Sequence, residues 1–284
     1  MPSVHHLYRA GAWAAGRLPA DAVLPLAGVA GSGAYVLSLG GDRQLVARNM
    51  RRAGAPGATR RAFISYARYW LESLRLGSMS EEEIGADFSI DGQDHIEAAQ
   101  AQGHGAVLAI PHVGGWDVGG AWLVDQGFPL TVVAEVLEPK EMFEWFVNLR
   151  RNVGLTVVPL DSRAGTAVVR TLRANGVVAL LCDRDIDGRG VEVDFFGERT
   201  LLPGGPAALA LRENSPLLPT AVYFDGRGHR AVVCPPLEFE RQGTLKEDAI
   251  ALTQLLAYEL ERLIRRAPEQ WHMFQPNWPS DRVL

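Results

Sequence analysis

Cysteine is scarce in this chain. Of 284 residues only Cys182 and Cys234 carry a thiol, and neither stands in a C-x-x-C or Cys/His spacing. That argues against a disulfide framework and a structural zinc site, and a reducing compartment is expected. Both thiols are expected to be small buried apolar side chains. Internal repeats are absent, which sets aside solenoids and propellers. The opening MPSVHHLYRAGAWAAGRLP lacks the unbroken apolar core of a secretory signal. The most membrane-like stretch, residues 22–41, is diluted by Pro25 and several Gly and Ser. It is expected to be an interfacial or core helix rather than a span. Nothing resembles a recognition helix or a base-stacking platform, so nucleic acid is not an expected partner.

What the chain does have is apolar mass and uneven charge. Hydrophobic residues make up 47% and charged residues 21%, enough for a packed α/β domain and against wholesale disorder. The net charge is −5, but residues 1–75 carry ten Arg against three acids, a local net of +7. A basic end on an acidic protein suggests an anionic partner surface, for which anionic lipid is a candidate.

Periodicity predicts helices over 5–17, 20–39, 42–53 and 57–76. In the last, Phe63, Tyr66, Ala67, Trp70, Leu71 and Leu74 form one apolar stripe. SEEEIGADF (80–88) reads as a helix start, and a short helix is expected over 91–102. From residue 103 the rhythm changes. Strand-length apolar runs such as GAVLAIP, LTVVAEV, LTVVPL and VVALLCDR alternate with helical patterns. LLPTAVYF and HRAVVCPPLEF are expected to pair as a hairpin through DGRGH (225–229). The expected fold class is α/β: a mixed, largely parallel central sheet flanked by helices, with a helical, membrane-associating N-terminal part. One domain is expected over 1–284, with 1–102 mainly helical and 103–284 the α/β core.

In such sheets functional groups gather at the carboxyl ends of strands. His112 lies there, after VLAIP, and Asp117 follows five residues on, across Gly114, Gly115 and Trp116. Asp117 falls in the first turn of the next helix, where the dipole favours a carboxylate and the chain can curl back to the imidazole. A carboxylate on one imidazole nitrogen fixes the tautomer and lets the other take a proton near neutral pH. Spacing alone allows a structural pair as well as a catalytic one. No Ser or Cys stands beside His112 in a G-x-S-x-G elbow, which favours direct attack by a bound hydroxyl over an acyl-enzyme. LLCDRDIDGRG supplies Asp183, Arg184, Asp185 and Asp187 after another strand. The spacing is a partial calcium-loop match, but the twelfth position is Asp194 rather than Glu. An ion-pair network around Arg184 and Arg189 that shapes a substrate site is expected instead, with no metal.

Four blocks carry a family resemblance: RNMRRA with RRAFISYARYWLESLRL, then PHVGGWDVGGAW, then CDRDIDGRGVEVDFFGERTLLPGGPAALA, then PEQWHMFQPNWPSD. Together they resemble the bacterial acyltransferase family that includes the lipid A late acyltransferases. The similarity is greatest to its phosphatidylinositol mannoside branch, over residues 42–281. The resemblance implies that His112 is the catalytic base and Asp117 its partner. It implies that Arg150, or the adjacent Arg151, is an active-site cation and that Glu192 stands near the reacting sugar. Trp116 is kept from the first block, while Gly115 stands where the family commonly has Asn. With Asp183 and Arg184 these make the expected substrate-binding set. The implied co-substrate is acyl-CoA, with no resident cofactor, and the implied acceptor is a mannosylated phosphatidylinositol. Another glycolipid acceptor, or hydrolysis of the thioester, are the alternatives. The implied location is the cytoplasmic face of the membrane, peripherally held on its anionic surface. His272 and Trp278 near the end are expected in the core.

Overall fold

The structure, a computed structural model, describes residues 11–38, 41–136 and 138–283. The start of the helix expected over 5–17 lies outside these residues.

After a helical stretch over residues 11–15, within the helix expected over 5–17, come α1 (Val23–Leu37), α2 (Gly41–Arg52) and α3 (Thr59–Arg75). A short α4 (Glu81–Gly85) follows, capped by Ser80, whose side chain accepts from the Glu83 N–H. The chain then alternates through β1 (Phe88–Asp91), α5 (Gln93–Ala101), β2 (Ala106–Ile110), α6 (Trp116–Asp125), β3 (Leu130–Ala134), α7 (Lys140–Asn152), β4 (Thr156–Pro159), α8 (Ala164–Arg173) and β5 (Val177–Leu181). A separate hairpin, β6 (Val191–Phe195) with β7 (Glu198–Leu202), leads to α9 (Gly205–Glu213). The last elements are β8 (Leu217–Asp225), β9 (Gly228–Val233) and α10 (Leu245–Ile264). Thr244 and Glu247 cap α10 reciprocally, which marks its start sharply.

The main sheet has seven strands in the order β1-β9-β8-β2-β5-β3-β4. Every pairing is parallel except β8 with β9, the hairpin expected at 225–229. The mixed, largely parallel α/β sheet is as expected. β1 and the β6–β7 hairpin were not anticipated; β1 is a four-residue run with a Ser and an Asp that pairs on the sheet edge.

Every residue of β2 is buried, because helices cover both faces of the sheet. Alternation divides the packing. Val107, Ala109 and Val178 point into a core with α9 and α10, while Leu108, Ile110 and Ala179 point to the opposite face, beneath α5 and α6. Cys182 and Cys234 are both free and buried.

Two features of the N-terminal part differ from simple patterning. α1 buries Val23, Ala27 and Gly31 but exposes Val29, Val36 and Leu37. In α3 Ala62 and Phe63 are buried in the core, but so are Ser65, Arg68, Tyr69, Glu72, Ser73 and Arg75, whereas Tyr66, Ala67, Trp70, Leu71 and Leu74 of the apolar stripe are half-buried. Several N-terminal arginines are also tied up internally. Arg48 and Arg52 pair with Asp281, Arg68 with Glu72, and Arg75 with Glu83. The excess of +7 therefore overstates the charge this end can offer a partner.

Candidate active site

Two neighbouring strands assemble the site. β2 and β5 run parallel, with Ile110 level with Leu181. Two residues beyond each, His112 and Asp183 stand side by side at the carboxyl edge of the sheet. Asp183 Oδ1 lies 2.6 Å from His112 Nδ1. Asp183 Oδ2 accepts from the His112 backbone N–H at 3.0 Å and from Trp271 Nε1 at 2.8 Å. Burial alone would raise the Asp183 carboxyl. The His112 charge and these hydrogen bonds outweigh it and hold the group below the usual carboxylate range. A carboxylate at Nδ1 keeps a proton there and leaves Nε2 as the basic nitrogen, on a side chain that lines the cavity described below.

The expected pairing of Asp117 with His112 is corrected by this arrangement. Asp117 does occupy the first turn of α6. Its carboxylate is turned to α3 and α7 instead. Oδ1 accepts from Arg150 Nε at 2.8 Å, and Oδ2 accepts from Arg150 Nη2 at 3.1 Å, Ser73 Oγ at 3.1 Å and Tyr69 Oη at 3.2 Å. Burial and the adjacent Asp117 charge push the Tyr69 phenol well up, so it remains a donor. The physical reason is register. Parallel pairing sets an acid from β5 level with His112, while the face of α6 that carries Asp117 packs against α3.

Gly114 is required by its surroundings. Its φ is +61°, and a Cβ there would lie 2.1 Å from the Val222 carbonyl oxygen. At Gly115 the departure from the family pattern has a structural counterpart. A Cβ would lie 2.6 Å from the His229 imidazole, which fills that space and is hydrogen-bonded through Nε2 to Glu72 at 2.9 Å.

The cavity at this edge has a volume of about 670 Å³. Its apolar part draws on six adjacent strands through Ile90, Val233, Val222, Leu108, Ala179 and Val132, with Trp122 of α6 opposite. Five strand intervals of about 4.8 Å make this run about 24 Å across. Its polar part is formed by Glu135, Arg184, Asp185 and Arg189, beside Gly204 and Gly205 at the start of α9.

The structure gathers most of the expected residues here and leaves others out. Trp116 stacks on Tyr69 at 4.1 Å, meets His112 edge-on at 5.3 Å, and lines the cavity. Arg150 lines it too, while Arg151 is exposed on the outside of α7. Arg184 lines it and donates to Glu135 at 3.2 Å. Glu192 is not brought to the cavity. In β6 Val193 and Phe195 are buried, so Glu192 and Asp194 point outward, and Glu192 pairs with Arg199 on β7. Asp183 and Asp187 also diverge, the first to His112 and the second to Arg189. Among the described residues no group of three His, Cys, Asp or Glu side chains is placed to hold a metal ion. Trp278 is core, as expected. His272 is buried but also lines the cavity. Tyr69 and Ser73 were missed as site residues, although their spacing of four on α3 puts them on one face.

The sheet edge thus presents a histidine at a strand end, held by a buried acid, beside a cavity that is part apolar and part polar. The chain belongs to the bacterial lipid A biosynthesis acyltransferase family, whose model matches residues 4–280, and it is an O-acyltransferase. It is 40% identical over 258 residues to the phosphatidylinositol mannoside acyltransferase of Mycobacterium tuberculosis, covering 87% of this chain and 80% of that protein. It is 39% identical over 264 residues to the protein of the same name from Mycolicibacterium smegmatis, covering 89% and 85%.

Proposed function

We propose that the chain moves a long-chain acyl group, such as palmitoyl, from acyl-CoA to a mannose hydroxyl of a phosphatidylinositol mannoside. The observation that carries this reading is the His112–Asp183 pair at the mouth of the mixed cavity. His112 Nε2 takes the hydroxyl proton as the sugar oxygen attacks the thioester carbon, and Asp183 orients the ring and supports the imidazolium. Asp117 acts through Arg150, holding that cation at the cavity wall. Arg150, Trp116 and Arg184 contact substrate. The apolar run across the sheet takes the acyl chain, at about 0.8 kcal/mol per buried methylene. The relatives' name supports the acceptor.

The enzyme works peripherally at the cytoplasmic face of the membrane. Val29, Val36 and Leu37 on α1 enter the interface, with Arg43 and Arg60 beside them, hydrogen-bonded to Tyr35 and Ser32 of the same helix. The apolar stretch Ala20–Leu37 is long enough to span, but α1 lies against α3, which favours the interfacial placement.

Purified protein incubated with palmitoyl-CoA and a mannosylated phosphatidylinositol should give an acceptor heavier by one palmitoyl ester, read by mass spectrometry. His112→Ala should abolish it. Transfer only to a lipid A precursor would change the acceptor. CoA release indifferent to any acceptor would make the chain a thioesterase.

A further inference from the structure

Among the described residues, three side-chain nitrogens are buried without a hydrogen-bond partner: Arg75 Nε, Arg184 Nε and His272 Nδ1. The two arginines are held by their other nitrogens, on Glu83 and Glu135. His272 differs because it lines the cavity beside His112.

Its position is tightly determined. The His272 backbone N–H donates to the His112 carbonyl oxygen at 2.8 Å, so the two histidines are joined through their backbones. The ring is packed among Tyr66, Tyr69 and Trp116, with centroids 5.4, 5.4 and 5.5 Å away. Its Nε2 lies 2.8 Å from Ser65 Oγ on α3. With Ser65 Oγ assigned as the donor to Nε2, the ring proton sits on Nδ1. An unmet buried donor costs about 1–3 kcal/mol, and folded proteins keep few of them without a use.

We propose that His272 Nδ1–H binds the thioester carbonyl oxygen of the acyl donor and stabilises the oxyanion it becomes. This deepens the acyl-transfer reading above and rests on it. The hydroxyl oxygen of the acceptor bonds to the carbonyl carbon, and its proton passes to His112 Nε2. The C=O π pair moves onto the carbonyl oxygen, which accepts the hydrogen bond from His272. When the pair returns, the C–S bond breaks, and the CoA thiolate leaves with the proton from His112. Burial, together with the nearby His112 charge, pushes the His272 ring down to about 3. It is therefore a neutral donor at working pH and does not compete for the proton in transit.

The test uses the full chain and two conservative variants. Asn carries an N–H near the place of Nδ1, and Gln carries one near the place of Nε2. His272→Gln should lower kcat by about 10²–10³-fold with KM for palmitoyl-CoA little changed, and His272→Asn should retain more of the rate. Calorimetry with two inert analogues gives a second readout. One is a thioether of palmitoyl-CoA that lacks the carbonyl; the other is a ketone in which CH₂ replaces sulfur and the carbonyl remains. Wild type should prefer the ketone, and His272→Gln should lose that preference. Equal kcat losses in both variants, or a ketone preference that survives His272→Gln, would overturn the proposal. Absence of turnover in wild type would instead remove the acyl-transfer reading, and the ketone preference still decides the role of His272.

Discussion

Asp117 and Asp183 are buried carboxylates on the same site with different tasks. Asp183 accepts from the His112 ring, the His112 backbone and Trp271, while Asp117 holds Arg150 in a two-point grip. Their asparagine variants should therefore fail differently. Asp183→Asn should lower kcat by about 10²–10⁴-fold, because the imidazole loses the charge that supports its protonated form. Its substrate affinity should change little. Asp117→Asn should chiefly lose stability, by about 3–5 kcal/mol, because Arg150 keeps a buried charge whose partner has gone. Denaturant titration and steady-state kinetics on both variants check the contrast. If Asp117→Asn keeps the wild-type midpoint and loses only kcat, the assignment of Asp117 to Arg150 positioning is wrong.

At the scale of elements, α3 joins the site to the outer surface. Its buried polar side meets His272 through Ser65, His229 through Glu72, and Asp117 through Tyr69 and Ser73. Each of these polar side chains has a hydrogen-bond partner, Arg75 through Nη2 while its Nε has none, which is why a polar stripe is tolerated inside. The helix packs against α1 as well, whose outer residues Val29, Val36 and Leu37 are exposed. A Val29→Glu, Val36→Glu double variant should leave the melting temperature nearly unchanged, since both residues are exposed in the folded chain. Co-sedimentation with anionic liposomes should weaken several-fold. Undiminished binding would place the membrane contact elsewhere. The 3.6-residue periodicity of α3 was legible in sequence. That a polar side is turned inward beside Phe63 was not, because hydrophobic patterning assigns only the apolar stripe to the core and cannot see the partners waiting for the polar one.

At the scale of the whole molecule, α2 is tied to the segment 278–281. Arg52 on α2 lies 3.9 Å above the Trp278 ring and bonds Asp281 at 2.9 Å, so the last residues close over the N-terminal helices. The segment that carries His272 is part of this closure, which links acid stability to the site. An unfolded histidine takes up a proton near pH 6.5, whereas folded His272 does so only near 3. Between these values the unfolded chain binds more protons. Stability is full above the upper value and falls as pH drops, by up to about 1.4 kcal/mol per pH unit. The depressed Asp183 and Glu72 carboxyls add to the loss only further down, where the unfolded carboxyls begin to protonate. Urea midpoints at about pH 7 and about pH 5 should differ in wild type and differ less in His272→Asn. Equal slopes in the two proteins would contradict the buried neutral ring.

The sequence by itself determined the strand–helix alternation, the 225–229 hairpin, the placement of His112 at a strand end and that of Asp117 in a helix's first turn. These follow from local periodicity, turn chemistry and spacing, which a single stretch of chain carries. Four ordered blocks also determined the family. Only the tertiary structure decided which acid meets His112, because that depends on β5 inserting beside β2 with Leu181 level with Ile110. It decided equally that Glu192 faces outward and that Gly115 makes room for His229. It also decided that His272, which reads as core, stands at the cavity wall. Each of these is a contact between segments far apart in the chain, fixed by strand order and packing, and no local pattern encodes it.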